Sequence, residues 1–206
     1  MSGFIFSIFK KITKHLLAFS KKKLQLLYKL RFLAQVTLWE GKITLGQSVY
    51  FLHPVKFQGY GALIVEENVT FGYELANAQS IPILLQPRKV NAIIKISAGS
   101  HIVNGTEIIA QQCVIIGKNC QIGARTLIMD SDFHGIAPEK RKSEGKISPV
   151  IIKDNVWTGT DVTILKGVTI GQDAVLGARS VISKNVPPGA IVVGNPMRVV
   201  GSVYDQ

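Results

Sequence analysis

From Ile152 onward the apolar positions of the chain recur every six residues. The units IKDNVW, TGTDVT, ILKGVT, IGQDAV, LGARSV and ISKNVP place Ile, Thr, Ile, Ile, Leu and Ile first, and Val, Val, Val, Ala, Ser and Val fifth. Agreement of six consecutive units at two positions marks an internal repeat. A large aliphatic, a small residue and intervening Gly, Asp or Asn describe a short strand and a turn, so three units close one triangular coil of a parallel β-helix. Each coil leaves its main-chain N–H and C=O groups to the coils above and below, so neighbours stabilise one another and a lone coil has little stability. The template also fits IGKNCQ and IGARTL from Ile116 and ISAGSH and IVNGTE from Ile96, and more loosely LGQSVY from Leu45 and VEENVT from Val65.

The interruptions are as informative as the repeat. A two-residue slip, Val114 and Ile115, precedes Ile116, and similar slips are expected near Leu63 and Ile94. The segment from Gly72 to Ala92 reads as a loop followed by a strand. The largest break is MDSDFHGIAPEKRKSEGKISP, Met129 to Pro149, which carries the last of four histidines. Ile116, Ile122 and Ile128 keep phase with Ile152, so this segment leaves the helix as a loop and the helix resumes in step. Past it, Thr158 alone puts a non-aliphatic residue at the first position. The expected organisation is a helical arm over residues 1–40, a β-helix over 41–200 with an inserted loop at 131–149, and a tail at 201–206.

Charge changes the picture at one end. The net charge is +11, and eight Lys and Arg precede Glu40 without a single acid. In that segment Phe4, Ile5, Ile8, Phe9, Ile12 and Leu16, and after a KKK break Leu24, Leu27 and Leu30, recur at helical spacing. Lysines interrupt every apolar run well short of the ~20 residues that span a bilayer, and no secretory cleavage pattern follows an apolar core. Two readings stay open: an amphipathic helix on an anionic membrane surface, or a helix packed on the domain or between subunits with its lysines solvated. Nucleic-acid binding is disfavoured, because no base-reading motif accompanies the charge. Cys113 and Cys120 have neither disulfide-scaffold nor zinc spacing, which points to a reducing, cytoplasmic compartment, at the inner leaflet if the arm meets lipid.

The DSDFH segment, the run DNVWTGTDVTILKGVTIG and the closing VPPGAIVVGNPMRVV resemble the hexapeptide-repeat acyltransferases of the left-handed parallel β-helix type, over roughly Leu45 to Val200. The likeness is greatest to the sugar O-acetyltransferases that modify capsule, lipopolysaccharide and related glycans. The left hand comes from this resemblance, since ordinary crossovers favour the right. The resemblance implies an acetyl-CoA-dependent transferase, homotrimeric, with acetyl-CoA in a groove between adjacent β-helices and a loop histidine activating the acceptor hydroxyl. It carries that histidine onto His134.

Acetyl transfer from a thioester to a sugar hydroxyl needs a base for the alcohol, a donor for the developing oxyanion and a cleft for the pantetheine arm. Imidazole takes up and returns a proton near neutrality, which suits His134 to the first task. Asp130 or Asp132 is placed to orient the ring, with Asp132 the candidate carried forward, or both are turn residues. Asn104, in IVNGTEI, resembles an asparagine near the acceptor site of related enzymes, and Asn-Gly is equally ordinary turn chemistry. For the cofactor, Trp157, Gly159, Gly177 and Ala178 fall where the resemblance lays pantetheine against exposed backbone. Arg179, Lys184 and Arg198 are candidates for the CoA phosphates, and Asn195 and Pro196 belong to the GNP segment, where Met197 replaces the usual alanine. The acceptor is a glycan or a nucleotide- or lipid-linked sugar. No metal is expected: a zinc site of the γ-type carbonic anhydrase kind needs three convergent histidines, and His15 and His53 lie outside the well-counted repeats. The alternatives are transfer to an amino sugar, and a non-catalytic trimeric scaffold with a membrane-binding arm.

Overall fold

A computed structural model describes residues 2–76 and 78–205, with helix side chains from Ser20 onward. The chain forms a left-handed parallel β-helix behind one N-terminal helix. Its first face stacks Lys42–Leu45, Ala62–Val65, Ile93–Ile96, Cys113–Ile116, Val150–Ile152 and Thr169–Ile170. The second face stacks Tyr50–Phe51, Thr70–Phe71, His101–Ile102, Gln121–Ile122, Trp157–Thr158, Val175–Leu176 and Ala190–Val193. An antiparallel return, Arg198–Ser202, completes it. The third face holds Val55–Phe57, Ile83–Pro87, Glu107–Ala110, Leu127–Met129, Thr163–Ile164 and Val181–Ile182.

The inward residue of each unit is the aliphatic that sets the cadence. Ile116, Ile122, Ile128, Ile152, Ile164, Ile170, Leu176 and Ile182 are all buried. Ile116 pairs with Ile152 and Ile152 with Ile170, so the coil after the insertion is in phase with the one before it. Thr158 is tolerated inside because its hydroxyl is used: Oγ1 accepts from Gly123 N at 2.8 Å and lies 3.3 Å from Thr126 Oγ1. Buried hydroxyls without such partners cost free energy.

The two-residue slips share one edge of the prism. Leu45 pairs with Val65 and Ile96 with Ile116, twenty residues apart, against eighteen for Ile152 and Ile170. The extra residues widen the corner between the third and first faces, and the strands that follow it there are four residues long. The 131–149 insertion leaves from this same corner. The segment from Gly72 makes an excursion at the corner between the second and third faces and then becomes the strand Ile83–Pro87.

The N-terminal helix, Ser2–Leu38, runs unbroken through Lys21, Lys22 and Lys23. The KKK break expected from the apolar pattern is absent because lysine is a good helix former. Phe32 and Val36 are buried. The Phe32 ring lies 5.2 Å from Phe51 and 6.3 Å from Phe57, both inward residues of the first coil, so the helix plugs the open end of the prism. Gln35 Oε1 also accepts from Phe57 N at 3.1 Å. The side chains of Phe4 through Leu16, His15 among them, lie outside the described residues.

Candidate functional site

The excursion that carries His134 is braced within itself and from the coils on both sides. Asp132 N donates to Lys146 O (3.0 Å), Gly135 N to Ser143 O (3.1 Å) and Ser148 N to Asp130 O (2.8 Å). From two coils before it, the guanidinium of Arg88 sits 4.4 Å from the centre of the Phe133 ring, and Lys89 pairs with Glu144. From the coil after it, Lys166 Nζ reaches Asp132 Oδ1 at 2.7 Å and Gly167 N donates to Ser148 O at 2.9 Å. His134 is therefore an exposed side chain on an ordered support.

The imidazole is oriented by a main-chain group that spacing alone does not reveal. Nδ1 lies 3.0 Å from the carbonyl oxygen of Arg141. A carbonyl only accepts, so Nδ1 carries the proton and the lone pair of the neutral ring is on Nε2. Neither aspartate bonds the ring. Asp130 is buried and closes the widened corner: Oδ1 accepts from Gln111 N (2.8 Å), and Oδ2 from Gln112 N and Cys113 N (2.7 Å each). Asp132 acts through the backbone. Its carbonyl accepts from His134 N at 2.7 Å, Oδ1 takes the Lys166 ion pair, and Oδ2 is buried without a partner.

Gly145 is a site residue that the motif reading missed. A Cβ built there would lie 2.5 Å from His134 O, 2.8 Å from Asp132 Cβ and 2.9 Å from His134 N. The returning strand of the loop thus presses against the histidine backbone where only a hydrogen fits.

Asn104 is fully buried and its amide is already engaged. Oδ1 accepts from Tyr73 N (2.8 Å) and Nδ2 donates to Tyr73 O (3.2 Å). The Nε2–H groups of His101 and His53 donate to Gly72 O (2.7 Å) and Ile81 O (2.9 Å). These three polar residues hold the Gly72–Pro82 excursion against the prism, and both histidines are thereby spent on main-chain carbonyls. Among the described residues, no group of three His, Cys, Asp or Glu gathers as a metal site.

Trp157 projects from the second face, 57% exposed, beside a cleft of about 420 Å³ lined by Tyr73, Leu75, Val103, Ala124, Trp157 and Gly159 among others. Small residues run down the adjoining edge. The missing Cβ of Gly159 would lie 2.6 Å from Ala178 N, so that corner stacks only with glycine. Gly177, Ala178 and Arg179 form the corner of the following coil. Gly194 comes next, donating its N–H to Ser180 Oγ at 2.9 Å. Asn195, Pro196 and Arg198 are exposed at the turn into the antiparallel return, and Met197 packs on the hydrophobic core. Arg179 projects from the edge 3.9 Å from Asp161, which Arg125 engages through two 2.6 Å bonds that hold the Asp161 carboxyl below the usual carboxylate range.

Trp157, Gly159, Gly177, Ala178, Arg179, Asn195, Pro196 and Arg198 therefore share one side of the prism. Lys184 does not: it follows the third face, on the edge that carries His134. Within one chain the imidazole and the cleft occupy different corners. Burial raises the thiol of Cys113, with the Asp130 carboxylate adding to it, and pushes that of Cys120 up to about 11, so neither favours the thiolate that nucleophilic chemistry needs.

The family described as bacterial transferase hexapeptide, six repeats, matches residues 149–184, and the hexapeptide repeat of succinyl-transferase matches residues 113–137. Galactoside O-acetyltransferase of Escherichia coli K12 is 37% identical over 100 residues, 48% of this chain and 49% of that protein, so the match spans about half the length of that relative. Among solved structures, a hexapeptide-repeat-containing acetyltransferase from Vibrio cholerae is 32% identical with a TM-score of 0.52, over 53% of this chain and 62% of that one. A galactoside acetyltransferase in complex with coenzyme A is 26% identical with a TM-score of 0.53, over 80% of this chain and 65% of that one. In its repeats and its coil architecture the chain is similar to these hexapeptide-repeat acetyltransferases.

Proposed function

We propose that the protein is an acetyl-CoA-dependent O-acetyltransferase acting on a sugar hydroxyl of a surface glycan or its precursor. The observation that carries this reading is the braced His134, with its proton on Nδ1 held by Arg141 O and a free Nε2. Nε2 takes the proton of the acceptor hydroxyl as its oxygen attacks the thioester carbonyl, and returns it to the departing thiolate of coenzyme A. Direct attack in a ternary complex fits the two unreactive cysteines. Trp157 and the small-residue edge suit the pantetheine arm, which needs close approach to backbone, while Arg179, Lys184 and Arg198 supply cations for the phosphates. Asp132 and Asn104 enter as supports: the first holds the histidine backbone, the second holds Tyr73 at the mouth of the cleft.

The corner assignment favours a homotrimer with shared sites. The imidazole of one chain and the cleft of the same chain face different edges, so juxtaposing them brings the His134 edge of one prism against the Trp157 edge of the next. Lys184 then reaches the same groove as Arg179 across the interface. The test is thiol release from acetyl-CoA with a galactoside acceptor, alongside direct acetyl-CoA titration. His134→Ala is expected to lower turnover by ~10² to ~10⁴ with cofactor binding retained. Near-normal turnover in that variant removes His134 from the mechanism, and a wild-type chain that does not bind acetyl-CoA removes the reading altogether.

A further inference from the structure

We propose that the outward face of the N-terminal helix is a membrane foot, which seats the protein on an anionic lipid bilayer with its first coil nearest the surface. The helix has two apolar faces. One, centred on Phe32, is consumed by the prism. At about 100° per residue, Leu26, Leu27 and Leu30 fall roughly opposite Phe32, and they are 57%, 49% and 55% exposed. The helix ends at Leu38, 82% exposed, and Trp39 follows with its indole edge-on to the Tyr60 ring at 5.5 Å, both rings exposed. Lys22 and Lys29 flank the leucines on one side and Arg31 on the other, Lys23 falls among the leucines by the same count, and Lys56 lies across a cleft from Arg31. Leucines on the outward side, cations on the flanks and aromatic rings at the end match the layered polarity of a headgroup interface.

Charge decides between a bilayer and a second copy of the chain. Eight basic residues and no acid precede Glu40, so pairing two such helices would bring like charges together, whereas an anionic surface neutralises them. The foot is also rigid. Phe32 and Val36 plug the prism, and Lys21 Nζ reaches Glu74 on the Gly72–Pro82 excursion at 2.7 Å. The His134 loop leaves the fourth coil, so with coils about 4.8 Å apart it stands about 15 Å above the first. That height suits an acceptor tethered just above the headgroups, a corollary that rests on the transferase reading. The docking itself does not.

The full chain is floated with vesicles of phosphatidylcholine, with and without phosphatidylglycerol. The wild type is expected to float only with the anionic vesicles. Leu26→Ser/Leu27→Ser/Leu30→Ser, all at exposed positions, is expected to keep a cooperative melt and to lose at least tenfold in partitioning. Val90→Ser, an exposed apolar residue away from the helix, is expected to match the wild type. In a Trp157→Phe background the one remaining indole, Trp39, is expected to shift to the blue on vesicle addition. A wild type that stays in the dense fraction overturns the proposal, as does a triple variant that floats normally or a Trp39 emission that does not move. A concentration-dependent assembly abolished by the triple variant overturns it in favour of self-association. Acetyl-CoA titration of the triple variant keeps the two readings separate: retained cofactor binding with lost flotation leaves both intact.

Discussion

Replacing Gly145 with alanine tests whether the His134 support is as tight as its geometry indicates. The new Cβ would lie 2.5 Å from His134 O, where about 3.4 Å is ordinary contact, so a shift of about 0.9 Å is required. The opposing atoms belong to backbone and to Asp132 Cβ, and Asp132 is tied to Lys166, so no flexible side chain can absorb the overlap. A misplacement near 1 Å at a reacting group costs about 10²-fold in rate. Gly145 lies in a surface excursion, so the expected change in unfolding free energy is under about 1 kcal/mol. Thiol release from acetyl-CoA with a galactoside acceptor reads the rate, titration reads cofactor binding, and thermal melting reads the fold. The expected pattern is turnover down about a hundredfold, with binding and melting close to wild type. Gly201→Ala is the control, since its Cβ meets only Ile191 Cδ1 at 3.8 Å. If Gly145→Ala turns over within about threefold of the wild type, the loop yields and the claim of a preorganised histidine fails.

Asp130→Asn keeps shape but, even with its oxygen kept toward Gln112 and Cys113, turns its NH2 on the N–H donor of Gln111 and loses the charge that all three bonds use. It is expected to destabilise the protein by about 2–4 kcal/mol in urea unfolding, and a cost below about 1 kcal/mol would show that water replaces the carboxylate. Asn104→Ala removes both bonds to Tyr73. Hydrogen exchange of the Gly72–Pro82 amides is expected to accelerate while that of the buried strand amides does not, and equal protection in variant and wild type would contradict the anchoring role. Tyr204 donates its hydroxyl to Asp173 Oδ2 at 2.8 Å. Asn155 first and Tyr204 second lower the Asp173 carboxyl, and that bond raises Tyr204. The lowered carboxyl contributes stability above the ordinary carboxylate range, lost as pH falls through its folded value; the raised phenol contributes below about pH 10, lost as pH rises through its own. The melting difference between wild type and Tyr204→Phe is expected to be constant in the middle of the range and to close at both ends, and a difference independent of pH would rule out the bond.

What could be read from the chain was whatever repeats along it. Six-residue spacing exposes the inward aliphatics, their phase across the insertion and the slips before Ile116, because one-dimensional distance maps directly onto position around a coil. Interactions between coils are not local in that sense. Asp130 reaches Gln111 through Cys113, Asn104 reaches Tyr73, and Lys166 reaches Asp132 only once stacking has set coil upon coil. Asp130 and Asp132 therefore looked equivalent beside His134, although one closes a corner and the other ties down the loop. The partner of the imidazole was hidden for a further reason: it is the carbonyl of Arg141, and a backbone oxygen has no residue type to recognise. Gly145 was equally silent among nineteen glycines, most of which a repeat of this kind uses at bends.

A ladder of parallel rungs could in principle lengthen without limit, since every terminal rung is a template for another chain. Here the two extremities are finished differently, by the aromatic stopper around Phe32 at the front and, on the second face, by the strand that doubles back from Arg198 to Ser202 at the rear. The reversed direction of that final strand offers an incoming parallel rung the wrong register, and the stopper buries the rim it would need. Taking away the helix should thus bare the front rim alone, so that copies associate front to front and growth stops there, because the rear stays closed.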